Sequence, residues 1–272
     1  MSSAETVSSL PDSPGLEKPA LTNAKSEMRH ANWAELLESL LVTILLALFG
    51  TTFVVQAFKI PSQSMEPTLL VGDHLLVNKF IFGGTGAWYE KLLPYRPVRR
   101  GDIIVFRFPF DDHPHYVKRV IGLPGDRIRI AARQVYVDDA PLSEPYVVHD
   151  ASAADPFADN FPPADGDFSP FGLRPEWAQQ IMNHTRDGEL IVPADHYFVM
   201  GDNRDRSWDS RYWGFVDRGA IMGRPILIYW SVRATSDDYT DRSLSASLRG
   251  IEAALIHLPT RTRWNRMLRE VH

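Results

Sequence analysis

In IPSQSMEPTLL, residues 60–70, two serines stand two positions apart between Pro61 and Pro67. A hydroxyl is a weak nucleophile at neutral pH and attacks a carbonyl only with a base beside it. The pair therefore asks which base serves Ser62 or Ser64. Serine and proline are also ordinary turn residues, and the same stretch reads as a linker. Lys118, in HYVKRVIGLPGD, is the candidate base. Strand alternation puts Tyr116 and Lys118 on one face and Val117 and Arg119 on the other, and apolar neighbours disfavour an ammonium. Free lysine titrates near pH 10.4 and a catalytic amine must fall to about 7 or 8, a shift worth roughly 3 to 4.5 kcal/mol that burial supplies. A solvated lysine on a strand edge is the competing reading.

A third stretch, MGDNRDRSWDSRYWG at 200–214, gathers Asp202, Asn203, Arg204, Asp205, Asp209 and Arg211 around Ser207. Charges of both signs at this density lock a loop through mutual hydrogen bonds, or simply make a polar turn. DDHPH at 111–115 matches no metal-ligand spacing and reads as a solvated loop. With no cysteine in the chain, a thiol nucleophile and a thiolate metal site are excluded.

The elements that position these residues follow from the hydropathy pattern. The 272 residues allow one large domain or two smaller ones, and a net charge of -5 with mixed signs excludes the clustered basic surface of a nucleic-acid binder. Residues 1–32 have no apolar period and read as a disordered tail. From Leu40 to Phe58 no charge occurs, and as a helix these residues reach roughly 28 Å, close to the ~30 Å of a bilayer core. The spacing predicts a transmembrane helix over 33–58. A buried core helix and a cleaved signal peptide are the alternatives, though the polar residues ahead of the run argue against the second. Lys25 and Arg29 before the run and Lys59 after it give a thin signal for the N-terminus inside.

Beyond the run, HLLVNKFIF, DIIVFRF, YVKRVIGL, RIRIAARQVYV, HYFVMGD and RPILIYW are short β-branched and aromatic stretches bounded by Gly, Pro and Asp. They predict a mainly β fold over 59–232. The acidic, Pro-rich stretch at about 143–190 reads as an inserted loop or subdomain. In KFIFGGTGAWYEKLL, Phe80, Ile81, Phe82, Trp88 and Tyr89 fit either a membrane-interface hairpin or core packing. Residues 233–272 combine helical spacing of Leu and Ile with a basic amphipathic end, which packs on the domain or lies at a membrane surface.

Taken in order, a span, PSQSMEPTL, RGDIIVF, YVKRVIGLPGD and GDNRDRSWDSR resemble bacterial type I signal peptidase, the membrane-bound serine-lysine protease that removes signal peptides from exported proteins. The resemblance covers roughly 33–232, and RTRWNR at 261–266 is similar to the family's tail. It implies a signal-peptidase-type β-rich domain in which Ser64 is the nucleophile, Lys118 its general base, and Ser62 joins the Ser64 N–H in the oxyanion hole. It further implies that Ser207 orients the lysine and that Asp209 and Arg211 support the site. Phe58, Ile60, Pro61, Met65, Leu69, Val105, Tyr116 and Val117 are implied to line shallow pockets that select Ala-x-Ala, with His115 a bystander. The implied partners are preproteins and the lipid bilayer, with no cofactor, no nucleic acid and a monomeric state. The implied location is the cytoplasmic membrane, in a single pass, with the catalytic domain outside. Endomembrane relatives place a histidine at the lysine position, so the bacterial type fits better. Gln63, between the serines, departs from the small residues common there. Another serine-lysine peptidase, pilus-processing or repressor-like, and a membrane-tethered β-domain without catalysis are the rival readings.

Overall fold

Each run read as a strand contains one in the computed structural model, which describes residues 21–50, 55–82, 95–108, 115–153, 155–163, 173, 175–234 and 260–272. The chain forms two units, Met1–Phe49 and Gly50–His272. The first contains helix α1 (Leu21–Phe49), along which Trp33, Leu36, Leu40, Leu45 and Phe49 are exposed. The continuous membrane-crossing helix expected over 33–58 is corrected here. Helix α1 stops at Phe49, Val55–Phe58 belong to a strand, and among the described residues no helix is long and apolar enough to cross a membrane. An uncharged run does not by itself distinguish helix from strand. Gly50 weakens a helix, and further on the β-branched Val55 and aromatic Phe58 favour the extended backbone that pairs with Asn78 and Leu75.

The second unit begins with β1 (Val55–Lys59), β2 (Asp73–Asn78), β3 (Ile103–Arg107) and β4 (His115–Gly122). There follow β5 (Arg127–Ala131), β6 (Gln134–Val137), β7 (Ala140–Pro141), α2 (Pro156–Asp159), α3 (Pro175–His184), β8 (Thr185–Arg186) and β9 (Glu189–Ile191). The chain closes with β10 (His196–Met200), α4 (Ser210–Trp213), β11 (Val216–Asp217), β12 (Ile221–Ser231) and β13 (Arg269–Glu270). The larger sheet has the order β1-β2-β12-β3-β4-β10-β11 with β13 beside β12, and the smaller one β7-β6-β5-β9-β8.

In β2 burial alternates, so that Asp73, Leu75 and Val77 point inward. Leu75 and Val77 pack with Ile60, Met65, Leu69, Ile103, Val105, Ile228 and Val271 in a core beneath the Ser64 turn. Each of these side chains contributes roughly 1.5–3 kcal/mol by leaving water, which keeps the turn on a rigid floor.

The acidic stretch at about 143–190, read as an inserted loop or subdomain, contributes to the smaller sheet and its core. Its strand β9 pairs with β5, Phe161 bridges Ile130, and Phe157, Phe161, Trp177 and Ile181 are buried in the small sheet's core. That sheet starts at Arg127, ahead of the predicted boundary, and residues 164–172 lie outside the described ones.

At the other end of the chain, the basic segment from Thr260 onward packs on the domain. β13 pairs with β12, Val271 is buried, and Arg266 donates to buried Asp73 at 2.6 Å and to the Thr68 carbonyl at 2.9 Å. An inward-facing carboxylate on β2 turned the arginine in, overriding the amphipathic pattern. Residues 235–259, where the helical spacing was read, lie outside the described residues. Phe82 is also a core residue, with the Arg96 guanidinium 5.3 Å from its ring, while Trp88 and Tyr89 fall outside the described residues.

Candidate active site

Ser64 sits on a one-turn 3-10 helix, Gln63–Met65, that follows β1. Met65, only 1% exposed, pins this turn into the core, and the Met65 carbonyl accepts from Leu69 N–H at 2.9 Å. From the opposite side, Asn203 N–H donates to the Ser64 carbonyl at 3.2 Å. Lys118 comes from β4, where it pairs with Ile104 of β3 in the middle of the sheet. The residue is only 2% exposed. The result is a Lys118 Nζ to Ser64 Oγ distance of 2.6 Å. Ser62, exposed at the cleft, places its Oγ 3.4 Å from that of Ser64.

Burial lowers the Lys118 pKa to about 8, with Arg211 adding to the effect and Asp209 and Asp202 opposing it. Asp209 is held in turn by a bidentate pair to Arg211, both bonds at 2.9 Å, and accepts from Gly201 N–H at 3.1 Å. Burial pushes the Asp209 carboxyl up, but Arg211 and Lys118 outweigh it, so the group stays below its ordinary value and ionised. Arg119, the next residue on β4, makes a second bidentate pair, to Asp202 at 2.8 and 2.7 Å. Asp202 also accepts from the Thr68 hydroxyl at 2.5 Å.

Ser207 is buried beside these groups, yet no hydrogen bond joins it to Lys118. Its Oγ lies close enough to Asp209 to help hold that carboxyl down, without a well-formed hydrogen bond to it. The loop approaches so tightly that a Cβ at Gly201 would fall 2.3 Å from both the Ser64 carbonyl and Ser207 Oγ, which only glycine avoids.

Ser64 and Lys118 open into a cavity of about 230 Å³. Of the residues read as pocket-lining, Phe58, Ile60, Pro61, Met65, Tyr116 and Val117 form its wall. Leu69 and Val105 do not; both are fully buried in the core behind it, because their inward faces were already taken by the sheet. His115, read as a bystander, lines the cavity edge-on to the Phe58 ring at 5.2 Å, and Lys59 lines it too. Arg119, Thr68, Glu144 and Tyr146 escaped the sequence reading because their partners are distant in the chain. Among the described residues no cluster of His, Asp and Glu is placed to hold a metal ion.

The chain that carries this hydroxyl-amine pair is similar over most of its length to known proteins. The family model described as signal peptidase, peptidase S26, matches residues 33–230. The chain is 34% identical over 218 residues to a probable signal peptidase I-2 of Synechocystis, covering 78% of this chain and 80% of that protein. To signal peptidase I of Leptolyngbya laminosa it is 34% identical over 235 residues, 83% of this chain and 94% of that one. To signal peptidase I of Pseudomonas fluorescens it is 35% identical over 209 residues, 71% of each. The chain therefore belongs to the signal peptidase family, peptidase S26, and is a serine endopeptidase whose substrates are signal-peptide-bearing preproteins.

Proposed function

We propose that the chain cleaves preproteins after Ala-x-Ala with Ser64 as nucleophile and Lys118 as general base. The observation that carries this reading is the 2.6 Å contact between Lys118 Nζ and Ser64 Oγ in a buried, apolar setting. When the amine is neutral, the Ser64 hydroxyl donates to its lone pair. Attack on the scissile carbonyl then passes the hydroxyl proton to Nζ as the Oγ–C bond forms. The resulting ammonium returns the proton to the departing amine, and neutral again, it draws a proton from the water that hydrolyses the acyl-enzyme. Through these steps Asp209 and Asp202 stabilise the transient ammonium, while burial keeps the resting amine largely deprotonated in mildly alkaline solution.

The oxyanion formed in each half-reaction is taken up by the Ser64 N–H and the Ser62 hydroxyl. Ser62→Ala is expected to lower kcat by about 10² to 10³, the usual effect of one oxyanion donor. An unchanged kcat would mean that backbone groups alone form the hole. The cavity, at about 230 Å³, holds small side chains between Phe58, Ile60, Met65 and Val117, and bulk is rejected by overlap. Incubating the detergent-solubilised chain with a preprotein whose signal ends in Ala-x-Ala, and mapping the cut by mass spectrometry, tests the reading. Cleavage elsewhere, or none, sinks it.

The location proposed is the cytoplasmic membrane, in a single pass, with the tail inside and the catalytic unit outside. Support comes from α1 between Leu40 and Phe49, which carries no charge and exposes Leu40, Leu41, Ile44, Leu45, Leu48 and Phe49. An exposed apolar helix surface favours a lipid surrounding, although these ten residues rise only roughly 15 Å and do not make a complete span by themselves. Protease added to intact spheroplasts is expected to digest the catalytic unit and spare the residues before Trp33. A catalytic unit that becomes sensitive only after lysis contradicts this topology.

A further inference from the structure

We infer that the segment Glu144–Asp150, EPYVVHD, is a strap that positions the site, with Tyr146 and Glu144 acting through Arg119 and Arg204. The proposal rests on the serine-lysine reading above and adds to it. The strap runs beside the loop that follows β10. Val148 and Asn203 form an isolated parallel bridge, Val148 N–H donates to the Asp202 carbonyl at 3.0 Å, and Arg204 N–H donates to the Val148 carbonyl at 3.1 Å. Asp150 N–H donates to Asp205 Oδ2 at 2.6 Å, and Arg206 pairs with Asp150 at 2.7 Å. These contacts tie residues 202–206 to the strap. The same residues reach the dyad: Asp202 receives both bonds from Arg119, and Asn203 N–H holds the Ser64 carbonyl. The strap is thus one residue removed from the nucleophile's backbone and from the lysine's charged surroundings.

Two side chains tighten it. The Arg119 guanidinium lies 3.9 Å from the Tyr146 ring centroid, so the arginine that fixes Asp202 rests on an aromatic face. The Tyr146 hydroxyl donates to Glu144 Oε1 at 3.1 Å, and burial pushes the phenol up, keeping it a neutral donor. Glu144 also takes Arg204 by a bidentate pair, one bond at 3.0 Å, with both partners buried. Arg204 Nε in turn donates to the Gly201 carbonyl at 3.2 Å, next to the point where the loop meets Ser64. A mutually satisfied network of this kind has one low-energy arrangement, and displacement of a reacting group by 1 Å costs about 10²-fold in rate.

The experiment measures kcat, KM and the pH dependence of kcat on an Ala-x-Ala preprotein for the full chain and three variants. Tyr146→Phe keeps the aromatic face and is expected to stay within about twofold of wild type. Tyr146→Leu removes it and is expected to lower kcat roughly 10- to 100-fold with KM little changed. In that variant the rising pH limb should also move upward. Asp202, less well neutralised by Arg119, then favours the Lys118 ammonium more strongly, while Asp209 and Arg211, the other charged groups facing it, are untouched. Glu144→Gln, close in shape and without the ion pair, is expected to lower kcat about tenfold at similar KM, and it decides the question if Tyr146→Leu does not fold.

Wild-type kcat and pH limb in both Tyr146→Leu and Glu144→Gln overturn the strap, as does a loss in Tyr146→Leu that tracks melting temperature alone with the pH limb unmoved. Ser64→Ala and Lys118→Arg run in the same assay separate the two readings. Activity in either of these defeats the dyad, whereas inactivity in both beside wild-type behaviour of Tyr146→Leu and Glu144→Gln defeats the strap alone.

Discussion

Ser64→Ala is expected to leave no measurable processing, a loss on the order of 10⁶ in kcat, as when a hydroxyl nucleophile is removed from a serine protease. The Ser64 hydroxyl meets a buried amine at 2.6 Å. Ser62, 3.4 Å from Ser64 Oγ, makes no such contact with Lys118 and would not substitute for it. The change deletes one oxygen at the edge of a cavity and leaves Met65, Leu69 and the turn's backbone bonds in place, so the fold should persist. Processing of an Ala-x-Ala preprotein within tenfold of wild type, by a variant with an unchanged melting curve, would reject Ser64 as the nucleophile.

Lys118 carries the second large effect. With its pKa at about 8, roughly a tenth of the amine is neutral at pH 7 and nine-tenths at pH 9, so kcat/KM should climb about tenfold over that interval. A histidine base would already have levelled off near neutrality. Lys118→Arg is expected to be inactive at every pH, because a guanidinium stays protonated and takes no proton from Ser64. Stability changes with pH in the same sense as activity. The folded-state pKa lies below the ordinary 10.5, so below about pH 8 the buried ammonium opposes folding, and the penalty fades as pH rises from 8 to 10.5. Lys118→Met should therefore stabilise the fold by about 3 kcal/mol at pH 7, with the gain vanishing above about pH 10.5. Denaturant melts of this variant across pH, beside the rate profile of Lys118→Arg, check both halves. A flat wild-type profile between pH 7 and 9 would mean that the amine is not the titrating base.

The β-rich class was legible because strand-forming runs separated by Gly, Pro and Asp survive any tertiary context. RIRIAARQVYV, however, folds as a hairpin, β5 and β6, turning through Ala132 and Arg133 at φ 48° and 71°. Neither residue is the Asn-Gly that marks such a turn in a sequence, because the pairing of the two strands on the small sheet imposes it. The uncharged run at 40–58 divides, with Leu40–Phe49 in α1 and Val55–Phe58 in a strand, for a related reason: hydropathy reports burial or apolar surroundings, and helix or strand is settled by which partner the backbone finds. Val55–Lys59 found β2.

For the candidate site, the order of motifs singled out Ser62, Ser64, Lys118, Ser207, Asp209 and Arg211 as side chains of the right chemistry. Local patterns also sorted Lys118 among apolar neighbours. Proximity was beyond them, since Ser64 and Lys118 are 54 positions apart and Arg119 and Asp202 are 83 apart. What residue types a chain carries, and their local periodicity, are properties of the sequence itself. Which side chains face one another, how dry the space between them is, and hence whether a lysine is a charged surface group or a neutral base, depend on contacts across the sheet. Leu69 and Val105 went to the core, His115 to the cleft and Tyr146 beneath Arg119, because burial and electrostatics act through space and not along the chain.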